Sequence, residues 1–151
     1  MDDLPLILAA PLMAVMLWTD LRHMRISNRL VGAVAALGIG CAVAGLMPDL
    51  GARLIAGGVV FAIGIALFTL GMMGGGDVKM LAVLVPLVPP QDLPVFTMLL
   101  AATMLSGALL LAGVRRAVGG PDSAWVSLRM RGRYPLGVSI AAAAMILPLG
   151  I

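Results

Sequence analysis

Residues 71–80 read GMMGGGDVKM, three consecutive glycines and an aspartate set in a long apolar stretch. A glycine weakens a helix by roughly 1 kcal/mol relative to alanine. A carboxylate at the centre of a membrane helix costs about 2.5–3.5 kcal/mol on insertion scales. The surroundings decide how these two liabilities are read. Uncharged runs occupy 4–19, 30–48, 54–76, 80–91, 93–114 and 134–151. Crossing the hydrocarbon core takes about 20 apolar residues. Most of these runs meet that length or come close, whereas 80–91 falls well short.

Bulk composition agrees with a membrane chain. Of 151 residues, 62% are hydrophobic and 11% charged, against about 25% charged in a soluble average. The mean hydropathy is +1.12. The fold class expected is an all-α polytopic membrane protein, a bundle of about six transmembrane helices. A single membrane-embedded domain covers 1–151, with spans near 4–19, 30–48, 54–73, 76–91, 93–114 and 134–151. The start, MDDLPLILAAP, is acidic and lacks the basic region of a secretory signal, so the first apolar run is expected to stay in the mature protein. Cys41 is the single cysteine; it permits no intrachain disulfide or cysteine-cluster zinc site and reads as a small buried hydrophobe. The pI near 10.0 points to short basic loops between spans rather than to nucleic acid.

The basic residues give an orientation. With six spans and the N-terminus outside, the loops 20–29, 74–79 and 115–133 face the cytoplasm. They hold nine of the ten Lys and Arg residues, leaving Arg53 alone outside. Were 80–91 not to cross, the Arg115–Arg133 loop would change sides, against the positive-inside rule. The fourth span therefore recruits residues from about Gly76 to Asp92, roughly 25 Å of helix, which draws Asp77 to the membrane boundary. Spans 1 and 3 run in the same sense. The first ends in WTDLRHMRISNRL and the third in GMMGGGDVKML, so Asp20 and Asp77 reach one depth at the cytoplasmic edge. Asp122, in GGPDSAW, reads as a solvated loop acid.

Two carboxylates at one depth in a low-dielectric setting share a proton. One can then draw a proton from water while its neutral partner donates to a carbonyl, as in an aspartic protease. Gly74 to Gly76, without side chains, would admit a substrate backbone and let Asp77 aim inward. The plainer alternative is that these glycines end helix 3 and Asp77 caps helix 4.

DLRHMRISN (Asp20–Asn28) followed by GGGDVK (Gly74–Lys79) resembles the two signatures of the type IV prepilin peptidases, a family of GxGD-type intramembrane aspartyl proteases. RGRYPLGVSIAAAA (Arg131–Ala144) is similar to the family's entry into its last helix. The resemblance implies Asp20 and Asp77 as catalytic residues. It implies Gly74, Gly76, Lys79, Arg25 and Asn28 as residues that shape the site or bind substrate, with no metal and no cofactor. The implied partners are the leader of a prepilin or pseudopilin with its hydrophobic helix, and membrane lipids. The implied location is the bacterial inner membrane, with the active site at its cytoplasmic face and the termini outside. Larger members are similar but carry four zinc-binding cysteines and N-methylate the mature pilin; one cysteine points to the short form that serves Tad/Flp-type pili, without methyltransferase activity. Ser27 stands where the family usually has proline, and Ser27-Asn28 still supplies a helix N-cap.

Other residues carry weaker signals. His23 reads as interfacial, or as a substrate or proton contact. The Arg129–Arg133 cluster reads as a headgroup anchor. Lys79 either tunes Asp77 or binds lipid phosphate. The rival from another class is a small ion-coupled transporter with the two aspartates as a proton relay, which would place acids nearer mid-span.

Overall fold

The computed structural model describes residues 3–118, 125–129 and 134–150. Asp122, Met130, Arg131 and Arg133 lie outside them. Among the described residues the chain is entirely helical: α1 (Leu4–His23), α2 (Asn28–Val43), α3 (Leu50–Thr69), α4 (Gly75–Leu84), α5 (Leu93–Val118), α6 (Val126–Arg129) and α7 (Leu136–Ile146). Short 3-10 turns follow α4, precede α5 and follow α7. Helices α1, α3 and α5 are long and apolar enough to cross a membrane. Their outward faces carry bare apolar side chains such as Ile55, Leu105 and Leu110, a surface suited to lipid.

Helix α1 buries Leu6, Ala9, Met13, Met16 and Asp20, a stripe at helical spacing. It packs most extensively on α7, which is buried through Ile140, Ala141, Ala143 and Ala144. Helix α5 closes the other side of α7. The stripe corrects one expected boundary. Residues 20–29 are not all loop, because α1 continues through Asp20 to His23 and turns at Met24 in the left-handed region (φ 50°). Asp20 thus belongs to the buried face of a helix. Ser27 caps α2 as expected, its Oγ accepting from the Leu30 N–H at 3.2 Å.

The short fourth segment is solved by enclosure. Helix α4 packs on α3 and α2 and touches α7, with Met80 and Leu84 fully buried. Gly57 and Gly64 bring α3 close: a Cβ on Gly57 would lie 2.7 Å from Pro86 Cγ, and one on Gly64 would lie 2.8 Å from Val78 Cγ1. Small residues permit this approach of helices in lipid. After Leu84 the chain tightens into a 3-10 turn over Val85–Leu87, and irregular backbone at depth is tolerated only where protein covers it.

Arg53 satisfies that irregular backbone. Its Nε donates to the Pro48 carbonyl at 2.8 Å, and its Nη1 donates to the carbonyls of Pro86 and Leu87, each at 3.2 Å. The side chain is 1% exposed. The basic residue that the charge count leaves on its own is therefore no loop cation; it ties the start of α3 to the end of α4.

Arg53→Met should lower stability by roughly 2–4 kcal/mol, because it strands three carbonyls in a water-poor interior. Arg53→Lys, with a point charge and no fork, should fall between. Detergent-phase thermal unfolding and membrane abundance would test this, and wild-type values for Arg53→Met would refute the role.

Candidate active site

The C-terminal end of α1 and the N-terminal ends of α4 and α7 meet at one end of the bundle. Asp20 and Asp77 both line an open cleft there of about 890 Å³, whose other walls include Arg25, Gly74, Met104 and Tyr134. A second lobe of about 730 Å³ shares Asp20 and Asp77 and adds Ser27, Asn28 and the remaining glycines. The two carboxylates are close enough to interact electrostatically. The structure thus brings together Asp20, Asp77, Gly74, Gly76, Arg25 and Asn28. His23 is exposed and also lines the cleft.

Lys79 falls elsewhere. It lines neither lobe, is exposed, and donates from Nζ to Asn28 Oδ1 at 3.3 Å. It joins the start of α2 to α4 on the outer side of the site. Asn28 is therefore both a cleft residue and the acceptor that anchors this lysine.

The three glycines do not end α3. Gly71 does, with φ 71°. Its N–H donates to the Phe68 carbonyl at 3.0 Å and that of Met72 donates to Leu67 at 2.9 Å, the paired bonds of a Schellman cap. Gly74 is instead the N-cap of α4, and Gly75, Gly76 and Asp77 form its first turn. The Asp77 carboxylate turns back toward the Gly74 N–H, much as the third residue does in a capping box. Asp77 therefore stands in the first turn of α4, where the plainer reading places it.

Each glycine has its own reason. A Cβ on Gly74 would sit 2.8 Å from Asp77 Oδ2. A Cβ on Gly76 would sit 3.2 Å from Ile26 Cβ. On Gly75 the nearest atom is Phe68 Cε2 at 3.4 Å, an ordinary contact. No positive φ is needed at Gly76, which is plainly helical; its lack of a side chain serves packing on Ile26.

Asp20 is 4% exposed. Its Oδ2 has no hydrogen-bond partner among the described residues. A residue that the sequence did not single out lies against it: a Cβ on Gly137 would be 2.7 Å from Asp20 Oδ2 and 3.0 Å from Ile26 Cδ1. Gly137 stands in the motif-like stretch RYPLGVS, but nothing local in that stretch marks it as facing an acid. Two carboxylates from different helices on one cleft can bind a water and exchange protons with it. No group of three or more His, Cys, Asp or Glu able to hold a metal occurs among the described residues.

Residues 7–112 match the model of the type IV leader peptidase family. The chain belongs to that family, and is a peptidase of a membrane-embedded type. The match spans both aspartates and stops before α6 and α7. No curated protein and no solved structure matches the chain significantly.

The glycine contacts rank three substitutions. Gly74→Ala pushes directly on the Asp77 carboxylate and should cost about a hundredfold in peptidase activity, the scale of an ångström-level misplacement. Gly76→Val should cost as much, through Ile26, and Gly75→Ala should stay within a few-fold. Peptide-bond cleavage in isolated membranes, normalised to protein abundance, gives the order; equal activity at all three positions would contradict it.

Proposed function

We propose that this peptidase is an aspartic endopeptidase that removes leader peptides from prepilin or pseudopilin substrates. The observation that carries the reading is the placement of Asp20 and Asp77, from α1 and α4, on one open cleft at one end of the bundle. A cleft at the bundle's end suits a substrate whose leader is in water and whose next segment is a membrane helix. An acid pair at mid-span, which a proton-coupled transporter would use, is not the arrangement here.

The chemistry needs one water and the two acids. One carboxylate takes a proton from the water as its oxygen attacks the scissile carbonyl. The protonated partner gives its proton to the carbonyl oxygen, forming a neutral tetrahedral diol. Collapse of the diol breaks the C–N bond; one acid returns a proton to the departing amine and the other recovers one from the diol. The pair ends with the single proton it began with. No cofactor takes part in this scheme.

The substrate class follows from the family and from the GxGD-like stretch Gly74–Asp77. With a single cysteine, the chain corresponds to a short form acting on Tad/Flp-type pilins, without the zinc-binding region or the methyltransferase activity. In the topology that goes with this reading, six segments cross the bacterial inner membrane, both termini are outside, and the cleft faces the cytoplasm. Arg25 at the cleft mouth is positioned to meet a leader or a lipid phosphate.

Asp20→Asn and Asp77→Asn should each abolish leader removal while the protein still accumulates in membranes. An amide can neither take the proton nor share one. Co-expression with a leader-bearing prepilin, followed by its mobility shift, reads the result; processing above a few per cent of wild type in either variant would defeat the dyad. Reporter fusions after Asp49 and Asp92 should read periplasmic and one after Arg116 cytoplasmic. A periplasmic signal at 116 would overturn the six-span arrangement.

A further inference from the structure

Asp77 has a recognisable setting, the first turn of its own helix. Asp20 does not: it lies in the last turn of α1, with its side chain buried and Oδ2 without a hydrogen-bond partner among the described residues. A buried carboxylate needs something to hold it. The backbone N–H groups of Gly137 and Val138, in the first turn of α7, face it. The Gly137 N–H is one that the helix leaves without an intrahelical acceptor, while that of Val138 also donates to the Pro135 carbonyl at 3.3 Å; the partial positive charge of a helix N-terminus favours an anion beside them.

Access to those groups depends on residue 137 having no side chain, since a Cβ there would occupy the space 2.7 Å from Oδ2. The turn is in turn fastened to α5. The Tyr134 hydroxyl shares a 2.6 Å hydrogen bond with the Ser139 hydroxyl and donates toward the Thr103 carbonyl at 3.5 Å. Thr103 Oγ1 shares its proton between the Leu99 carbonyl of its own helix at 2.8 Å and the Ser139 carbonyl at 3.1 Å, and Ser139 is 1% exposed. Gly107, one turn further along α5, leaves the room that the Tyr134 hydroxyl fills; a Cβ there would collide with it.

We propose that the first turn of α7 is the seat of Asp20, that Gly137 is the positioning residue which opens that seat, and that Tyr134, Ser139, Thr103 and Gly107 latch it to α5. The proposal rests on the peptidase reading for its catalytic consequence, though not for its geometry. It gives the region beyond the family match a part in the reaction. Gly137 does not touch the substrate; it acts by fixing where Asp20 points.

Two measurements test the seat. The first is independent of activity: in a Cys41→Ala background, the pair Asp20→Cys and Gly137→Cys should form a disulfide under mild oxidation in membranes. The Cγ of Asp20 lies 3.0 Å from a Cβ at 137, and a sulfur in a disulfide stands about 3 Å from the far Cβ. Absence of the cross-link in a protein that accumulates normally would overturn the seat. The second is a kinetic split. Gly137→Ala should lower kcat by about a hundredfold while leaving KM within a few-fold, as expected when a reacting group is displaced but substrate binding is not. Tyr134→Phe, which removes both hydrogen bonds of the Tyr134 hydroxyl from the latch, should lower kcat by about three- to tenfold. A wild-type kcat in Gly137→Ala would overturn the positioning role even if the cross-link formed. Failure of the wild-type protein to cleave a leader-bearing prepilin, together with a cross-link in the double-cysteine variant, would instead defeat the peptidase reading and leave the seat in place.

Discussion

A buried carboxylate is the constraint around which this bundle is organised. Asp20 continues the stripe of Leu6, Ala9, Met13 and Met16, so the periodicity that packs α1 into the core also carries an acid into it. Charge is expensive to bury. The fold meets the expense with arrangement instead of a side-chain hydrogen bond to Oδ2: the N-terminal turn of α7 lies under the carboxylate, and the cleft supplies an open side toward water. The left-handed turn at Met24 then lets the chain leave α1 immediately beyond.

Ile26 translates that constraint to the second acid. It lies in the short link between α1 and α2 and packs on both Gly76 and Gly137. One side chain therefore spaces the first turn of α4, which carries Asp77, from the first turn of α7, which faces Asp20. Glycine on each side makes the contacts tight enough to fix that spacing. This couples the two acids through packing that joins the two motifs to each other and to α7, and it explains how residues on separate helices can be held to a close tolerance.

Some of this was legible in the sequence and some was not, for identifiable reasons. The all-helical membrane fold followed from long uncharged runs, and the two aspartates stood out because an acid beside an apolar run is costly and therefore conspicuous. Ser27 was legible as a cap because capping is local. Gly71 was missed as the end of α3: the third span was drawn on to residue 73, just before the glycine triplet, but a Schellman cap needs only one glycine in the left-handed region, and Gly71 supplies it. Arg53 was counted as a loop cation because two of its three carbonyl partners, Pro86 and Leu87, lie more than thirty residues away. Gly137 and Ile26 escaped for the same reason. Their significance lies in contacts between elements distant in sequence, and no local pattern encodes such contacts.

Enclosure of α4 has a mechanical consequence. A long helix facing lipid adapts to a thicker or thinner bilayer by tilting or by deforming its surroundings. Helices α1, α3 and α5 have the exposed apolar surface to feel such changes. Helix α4 is short, embraced by its neighbours and clamped at its far end by Arg53. Its height is set by Gly57, Gly64 and that guanidinium, not by the hydrocarbon around the bundle. Asp77 consequently rides with α3 as a rigid insert, so a change in bilayer thickness reaches it through α3 and not through lipid pressing on α4 itself.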